Sequence, residues 1–326
     1  MKCLIEETAK VSVVESEPLT ARAGECVFSV KACGICGSDL PRVFDGTSYY
    51  YPIVLGHEFA GIVKDSTNPE LIGKRACVFP ILPCGACEFC EKQQWASCTS
   101  YDYYGSRRDG GMQSELLIQE RNLIFLPDSV RFEAGAMIEP CAVCLHAVRR
   151  AKITADSSVL VLGAGTIGLL SAMWARALGA RAVYVSDPDA KRCDMARELG
   201  FSIYENESID TVLEASGAAA ALRGAIERCR AQGRIVLIGH GKRDVTLPHS
   251  IFALILRKQL TLTGSWNSDY TDLVNDWKDS ISAVAEGKIE PERLITHRVA
   301  LSEADRAFSM IGEQKEFYNK VMVVNK

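Results

Sequence analysis

Residues 159–168 decide the fold of this 326-residue chain: Val159-Leu160-Val161-Leu162-Gly163-Ala164-Gly165-Thr166-Ile167-Gly168. An apolar run is followed at once by a GxGxxG motif and a helical pattern, which predicts a strand, a tight turn and a helix. The first glycine permits the turn, the second lets the backbone approach a pyrophosphate, and the third lets the helix pack on the strand. The helix N-terminus adds unpaired N–H groups for the phosphates. We therefore predict a dinucleotide site that includes Gly163, Gly165, Thr166, Ile167 and Gly168.

Asp187 closes the next predicted strand, nineteen residues after Gly168. Its carboxylate is placed to accept hydrogen bonds from the adenosine ribose hydroxyls and would repel a 2′-phosphate. Pro188 and Asp189 follow instead of a basic residue, which favours NAD over NADP as the cofactor. We also count Arg192 among the cofactor-binding residues. The alternative is a flexible glycine-rich turn that binds no ligand.

From Ser158 onward, apolar runs alternate with helical stretches, which is typical of a parallel sheet wrapped by helices. The predicted strands and helices are 159–162, 166–178, 182–186, 190–199, 211–214, 218–230, 234–238 and 260–264, and a further helix is expected from Tyr270 to Glu286. Before Leu126, short β-rich runs at 25–32, 61–64 and 115–118 indicate an irregular β domain. The predicted fold class is α/β: a β-rich domain at 1–149, a doubly wound nucleotide-binding domain at 150–266, and a C-terminal part at 267–326 that completes the first domain.

The composition is that of a globular protein, with 48% apolar and 24% charged residues and a formal charge of −4. This balance offers no basic excess, so we expect neither a nucleic acid nor a membrane as partner. The N-terminus has no apolar signal core, which favours a cytoplasmic protein. In a reducing compartment, thirteen cysteines more often bind metal or stay buried than form disulfides.

Four of these cysteines lie within fifteen residues, at Cys84, Cys87, Cys90 and Cys98. Four close thiolates suit a closed tetrahedral Zn²⁺ site, which leaves no coordination position for a substrate. We therefore predict a structural zinc here, with an iron-sulfur cluster as the competing interpretation. The Cys33/Cys36 and Cys141/Cys144 pairs have the Cys-x-x-Cys spacing of redox motifs. A redox role is therefore an alternative to metal binding for these cysteines.

A second, mixed set of metal ligands comprises Cys36, His57 and Glu139. A thiolate, an imidazole and a carboxylate leave one position of a catalytic zinc open for water or an alcohol. Asp39 is a candidate acceptor for the other ring nitrogen of His57, and Glu58 is a candidate further ligand. The alternative for His57 is a hydrogen-bonded core histidine.

Several motifs together resemble the zinc-containing medium-chain dehydrogenase/reductase family, and most closely its polyol dehydrogenase branch. They are Cys36-Gly37-Ser38-Asp39, Gly56-His57-Glu58, the four-cysteine segment, Asp109-Gly110-Gly111, Ile138-Glu139-Pro140 and the GxGxxG motif. The resemblance implies a GroES-like catalytic domain, a Rossmann NAD-binding domain, two zinc ions and a homodimer. It gives Glu58 a role in ligand exchange at zinc, and a carboxylate at Glu139 is typical of polyol dehydrogenases. The segments 64–73 and 201–210 are short for the family.

The expected reaction is oxidation of a secondary alcohol of a polyol or polyol phosphate, with hydride transferred to NAD. Ser38, beside Cys36, is the candidate for passing the alcohol proton onward, although a surface turn serine is the plainer interpretation. Arg107 and Arg108 offer planar donors to a sugar phosphate, or form a solvated basic turn. Alternative functions are a sorbitol/iditol-type or threonine-type dehydrogenase with an unphosphorylated substrate, and a non-catalytic NAD- or zinc-binding sensor.

Overall fold

The computed structural model describes residues 1–241, 244–313 and 316–325. Contacts divide the chain into two compact units. The first unit comprises Met1–Glu139 and Asp269–Lys326, and the second comprises Pro140–Ser268. The domain boundaries at 149 and 266 stay a prediction.

Strands dominate the first unit, whereas strands and helices alternate in the second. The strands are β1 (Lys2–Glu7), β2 (Lys10–Val14), β3 (Glu25–Ile35), β4 (Glu58–Ser66), β5 (Arg75–Val78), β6 (Ile81–Leu82), β7 (Asp102–Tyr103), β8 (Glu115–Gln119), β9 (Leu123–Phe125), β10 (Ser158–Leu162), β11 (Ala182–Ser186), β12 (Ser202–Ile203), β13 (Ile209–Glu214), β14 (Cys229–Leu237), β15 (Thr261–Gly264), β16 (Ile295–Ala300) and β17 (Lys320–Val324). The helices are α1 (Asp39–Phe44), α2 (Glu88–Glu91), α3 (Phe132–Ala136), α4 (Ile138–Ala151), α5 (Thr166–Ala177), α6 (Ala190–Glu198), α7 (Ala219–Arg228), α8 (His249–Arg257), α9 (Asp276–Ala285) and α10 (Ala304–Glu313).

The second unit is built on a parallel sheet with the strand order β12-β11-β10-β13-β14-β15. Every residue of β10 is buried, as expected for a central strand covered on both faces. From β10 the chain adds strands first on one side and later on the other, so the topology reverses at β10. Ligands of such sheets bind outside the carboxyl ends of the strands at this reversal, where the GxGxxG motif follows β10. The predicted doubly wound α/β fold is confirmed.

The first unit is built on a mainly antiparallel sheet with the order β16-β17-β3-β4-β5-β9, and β8 also pairs with β3. The long strand β3 is central because it pairs with β4 on one side and with β17 on the other. Val321 of β17 lies opposite Ile35 of β3, so the C-terminal segment contributes a strand to this sheet. The core beneath it includes Phe28 and Phe59, which are almost fully buried.

A two-stranded pair, β6 and β7, carries the segment that contains the four cysteines. Ile81 pairs with Tyr103 and Leu82 with Asp102, so residues 83–101 form the loop between the two strands. The strand pairing holds the two ends of this loop together and fixes the backbone of Tyr103 just after the loop.

Most predicted elements are observed with shifts of a few residues, and the strand at 182–186 has the predicted bounds. The helix predicted from Tyr270 is wrong at its start, because it begins at Asp276. The Asn275 side chain accepts a hydrogen bond from the Lys278 N–H and caps the helix, while the preceding residues form a turn closed by a bridge between Tyr270 and Asn275. Among the described residues no helix is long and apolar enough to cross a membrane.

Candidate active site and metal centres

The glycine motif forms the turn between β10 and α5. Gly163 has a φ of +98°, a backbone conformation that residues with a side chain rarely adopt. A Cβ atom on Gly168 would lie 1.8 Å from the Gly163 carbonyl oxygen, so only glycine lets the first turn of α5 pack on the loop. The loop therefore has the geometry that approach of a pyrophosphate requires.

The predicted ribose-binding carboxylate lies beside this loop. Asp187 Oδ2 accepts a hydrogen bond from the Ala164 N–H at 2.7 Å. Arg192, on α6, places Nη1 3.3 Å from the position of a Cβ on Gly165. The structure thus brings the loop, the acidic residue and the basic residue together within the second unit.

Glu214, at the end of β13, was not predicted from the sequence. Its Oε1 accepts hydrogen bonds from the N–H groups of Ser216 and Gly217, at 2.8 and 2.9 Å. It shapes the turn next to the glycine loop. An acidic residue that ends a buried strand and precedes Ser-Gly is the signal that would have identified it.

The four cysteine sulfurs form one compact group. Cys87 Sγ lies 3.5 Å from Cys90 Sγ and 3.9 Å from Cys98 Sγ, and Cys84 Sγ lies 3.8 Å from Cys90 Sγ. A zinc ion with Zn–S bonds of about 2.3 Å holds sulfurs about 3.8 Å apart at the corners of a tetrahedron. These separations fit a single ion and are too short to enclose several iron atoms.

The electrostatics of this group also favour a cation. N–H groups of Thr99 and Cys90 lower the pKa of Cys87 to about 5, whereas burial raises the pKa of Cys90 to about 12. These opposite shifts mean that, without a metal, the fold favours the thiolate form of Cys87 and the neutral thiol form of Cys90. A divalent cation removes this conflict because it stabilises all four thiolates.

The second metal group lies where β3 ends and β4 begins. Gly34 pairs with Glu58 across these antiparallel strands, which places Cys36 beside His57. Donor atoms of Cys36, His57 and Glu58 all lie within 4.8 Å of one another. A Cβ on Gly34 would lie 2.2 Å from Glu58 Oε2, so the Glu58 side chain occupies the space that a larger residue at position 34 would need.

Glu139, predicted as the third ligand, is buried but lies outside that compact group. Its Oε1 accepts a hydrogen bond from the Tyr103 hydroxyl at 3.1 Å. Burial raises the pKa of Glu139 to about 7, against the lowering influence of His57. The structure therefore offers two carboxylates, Glu58 and Glu139, next to Cys36 and His57.

Asp39 lies next to His57, and its role as acceptor for the ring nitrogen stays a prediction. His57 Nδ1 is 3.6 Å from Asp39 Oδ1, and both atoms are buried without a hydrogen bond of normal length. The other oxygen of Asp39 accepts a hydrogen bond from the Cys36 N–H at 2.9 Å. Burial disfavours a charged imidazole, but the carboxylate of Asp39 and the sulfur of Cys36 outweigh it and raise the pKa of His57 to about 10.

Glu58 is held by Lys320, which sequence reasoning missed. Lys320 Nζ lies 2.9 and 2.6 Å from the two carboxylate oxygens and 3.1 Å from the Ile35 carbonyl oxygen. Both side chains are buried, at 4% and 1% exposure. Lys320 stands in β17, and only the pairing of β17 with β3 brings it to the site.

The donor set fits a bound cation. Asp39, Glu58 and Glu139 place three buried carboxyl groups close to Cys36 and His57, and Asp39, Cys36 and Glu139 raise the pKa of His57. A thiolate, an imidazole and carboxylates are the ligands that zinc uses in catalytic sites.

The remaining predicted residues, Ser38, Arg107 and Arg108, differ in exposure and in the partners they contact. Ser38 precedes α1 and is exposed, and its side chain makes no capping hydrogen bond. Arg108 Nε donates to Asp102 Oδ2 at 2.7 Å, so its charge is already paired. The Arg107 guanidinium lies over the rings of Tyr49 and Tyr101, at 4.9 and 4.1 Å from their centroids.

Family models match both units of the chain. The model of the alcohol dehydrogenase GroES-like domain matches residues 22–128, and that of the zinc-binding dehydrogenase matches residues 166–286. Galactitol 1-phosphate 5-dehydrogenase of Escherichia coli K12 is 34% identical over 323 residues, which cover 91% of this chain and 92% of the relative. The chain belongs to the zinc-containing medium-chain dehydrogenase/reductase family.

Other members of the family extend this similarity. Sorbitol dehydrogenase of Bombyx mori is 31% identical, covering 88% of each chain. The crystal structure of galactitol-1-phosphate dehydrogenase from Escherichia coli has a TM-score of 0.92 at 31% identity and covers 100% of both chains. The chain is therefore a zinc-type alcohol or polyol dehydrogenase in its fold and family.

Proposed function

We propose that this protein oxidises a secondary alcohol of a polyol, using one catalytic zinc and NAD. The observation that carries the proposal is the group formed by the partly buried Cys36 and the buried His57, with two buried carboxylates beside them. Cys36, His57 and Glu139 would hold the catalytic zinc, with Glu58 as an exchangeable ligand. Cys84, Cys87, Cys90 and Cys98 would hold the structural zinc.

When bound, zinc supplies a Lewis acid that lowers the pKa of the alcohol hydroxyl, and NAD supplies the hydride acceptor. Asp39, whose Oδ1 lies 3.6 Å from His57 Nδ1, would orient the imidazole, and Lys320 would neutralise Glu58 whenever that carboxylate is not a ligand. The exposed hydroxyl of Ser38 would accept the alcohol proton and pass it to solvent. In the second unit, the glycine loop would bind the pyrophosphate and Asp187 the adenosine ribose.

The substrate that we propose is a polyol phosphate, recognised by Arg107. No carboxylate lies within 4.0 Å of its guanidinium among the residues that the structure describes, whereas Arg108 is paired with Asp102. The tyrosine rings hold Arg107 in one orientation without neutralising it, which suits recognition of a dianion. The Tyr101 ring meets the Tyr103 ring edge-on, with 6.0 Å between the ring centroids. Tyr101 and Tyr103 therefore connect Arg107 to Glu139 through successive side-chain contacts.

A panel of polyols with and without a terminal phosphate tests both the proposed polyol oxidation and the proposed preference for a phosphorylated substrate. We expect NADH formation with several polyols and a higher kcat/KM for a phosphorylated member. NADH formation that favours an unphosphorylated hexitol would replace the phosphate proposal by a sorbitol-type activity, which the 31% identity to a sorbitol dehydrogenase supports. No NADH from any polyol, with zinc fully loaded, would contradict the dehydrogenase proposal and favour a non-catalytic sensor.

A further inference from the structure

One tyrosine contacts two of the three side chains that we expect to bind catalytic zinc. The hydroxyl of Tyr103 donates to Oε1 of Glu139 at 3.1 Å. Its ring meets the imidazole of His57 edge-on, with 5.7 Å between the ring centroids and 61° between the planes. All three residues are at least nine-tenths buried, so water does not compete for this hydrogen bond.

The backbone of Tyr103 is fixed independently of the metal group. It pairs with Ile81 in the β6–β7 pair, and its carbonyl oxygen accepts hydrogen bonds from the N–H groups of Ser106 and Arg107. Its own N–H donates to the carboxylate of Asp102 at 2.8 Å. The hydroxyl therefore has a defined position from which to orient a neighbouring carboxylate.

We propose that Tyr103 is a positioning residue for Glu139. The Tyr103 hydroxyl donates to one carboxylate oxygen of Glu139 and leaves only the other oxygen available to the metal. This inference rests on the proposed zinc site. A carboxylate that binds through one oxygen takes one coordination position, whereas one that binds through both takes two. By restricting Glu139 to a single oxygen, Tyr103 keeps the fourth position open for the alcohol.

The test compares Tyr103→Phe with wild type and with Tyr104→Phe. Tyr103→Phe keeps the ring against His57 and removes only the hydroxyl. Tyr104 is the adjacent buried tyrosine, and its hydroxyl accepts a hydrogen bond from the Gln119 N–H instead of contacting a metal ligand. Zinc release to a chelator is followed in each protein, and a Cys36→Ser variant identifies the phase that belongs to the catalytic site.

We expect Tyr103→Phe to weaken zinc binding at the catalytic site about ten-fold, since loss of a partner of a ligand costs 10–100-fold. Release from the four-cysteine site should be unchanged, and Tyr104→Phe should match wild type at both sites. With cobalt(II) in the catalytic site, Tyr103→Phe should also show weaker visible absorption, because binding through both oxygens raises the coordination number.

Three results would overturn the inference. The first is an unchanged affinity and cobalt spectrum in Tyr103→Phe. The second is an equal loss of zinc from both sites, or the same loss in Tyr104→Phe, because either would reveal general destabilisation. The third, a wild-type protein that holds zinc only at the four cysteines, would refute the proposed function as well and is recognised before any variant is compared.

Discussion

Replacement of Lys320 by methionine should strongly destabilise the first unit. The change removes an ammonium group whose Nζ lies 2.6 and 2.9 Å from the oxygens of Glu58, while leaving that carboxylate 1% exposed. Breaking a buried ion pair by removal of one partner costs about 3–5 kcal/mol, mostly because the other charge stays buried without compensation. The methionine also cannot donate to the Ile35 carbonyl oxygen, so we expect a loss near the upper end of this range.

A double-mutant cycle separates the ion pair from lost packing. Lys320→Met combined with Glu58→Gln should cost less than the sum of the single changes by about 2 kcal/mol, because no buried charge is left uncompensated. Lys64→Met is the control: Lys64 and Glu115 also pair across the sheet, at 2.5 Å, but the lysine is 56% exposed. Loss of this exposed pair should cost no more than about 1 kcal/mol.

Native-state hydrogen exchange of the β3 and β17 amides, measured on zinc-depleted protein, reports the stability of the first unit alone. Zinc is removed so that Glu58 stays paired with Lys320 during the measurement and does not bind the metal instead. If Lys320→Met cost no more than Lys64→Met, or if the two changes in the cycle were additive, the assignment of a stabilising buried pair would be refuted.

Three further predictions concern the substrate, the cofactor and pH. Arg107→Ala should lower kcat/KM for a polyol phosphate about ten-fold or more, with little effect on the unphosphorylated polyol, since a hydrogen bond to a charged group contributes about 1.5–3 kcal/mol. Arg108→Ala, which breaks only the Asp102 pair, should change neither by more than about threefold; equal effects of the two changes would contradict the assignment. Asp187→Ser should weaken NAD binding and lower the preference for NAD over NADP about ten-fold in fluorescence titrations, and an unchanged preference would show that Asp187 does not select the cofactor. In zinc-free protein the folded-state pKa values of Glu139, about 7, and His57, about 10, lie above their ordinary values of 4.5 and 6.5, so folding takes up protons at both groups. Their contribution to stability is complete at low pH and is lost as pH rises through those folded values, whereas zinc affinity at the catalytic site should rise over the same range because the ligands must lose their protons. Thermal unfolding and competitive zinc titration between pH 6 and about 9 check both slopes, and a zinc affinity independent of pH would contradict them.

The parts of the site that sequence predicted best are local in the chain. The glycine loop and the four cysteines each lie within one short segment, so the spacing of the residues along the chain indicates which of them must come together. Gly168 packs on the Gly163 carbonyl, and Cys87 Sγ lies 3.5 Å from Cys90 Sγ. The doubly wound sheet was predictable for a similar reason, since alternating strands and helices admit few topologies.

The parts that sequence did not predict depend on pairing between distant segments. Lys320 is 262 positions from Glu58, and only the strand register of β17 on β3 brings the two together. Tyr103 contacts Glu139 from the far end of the cysteine loop. The sequence does not distinguish the neighbouring Arg107 and Arg108, whereas in the structure Arg108 pairs with Asp102 and Arg107 stacks on Tyr49 and Tyr101. No pattern along the chain encodes these contacts.

Hydride transfer to NAD should depend on a zinc ion bound near Cys36 and His57. The most direct measurement returns zinc stepwise to metal-free protein while NADH formation from a polyol is recorded. We predict no NADH while zinc fills only the four-cysteine site, and a rise in proportion to the second equivalent that is absent from a Cys36→Ser variant. Full activity before the second equivalent binds, or in Cys36→Ser, would show that hydride transfer does not need zinc at Cys36.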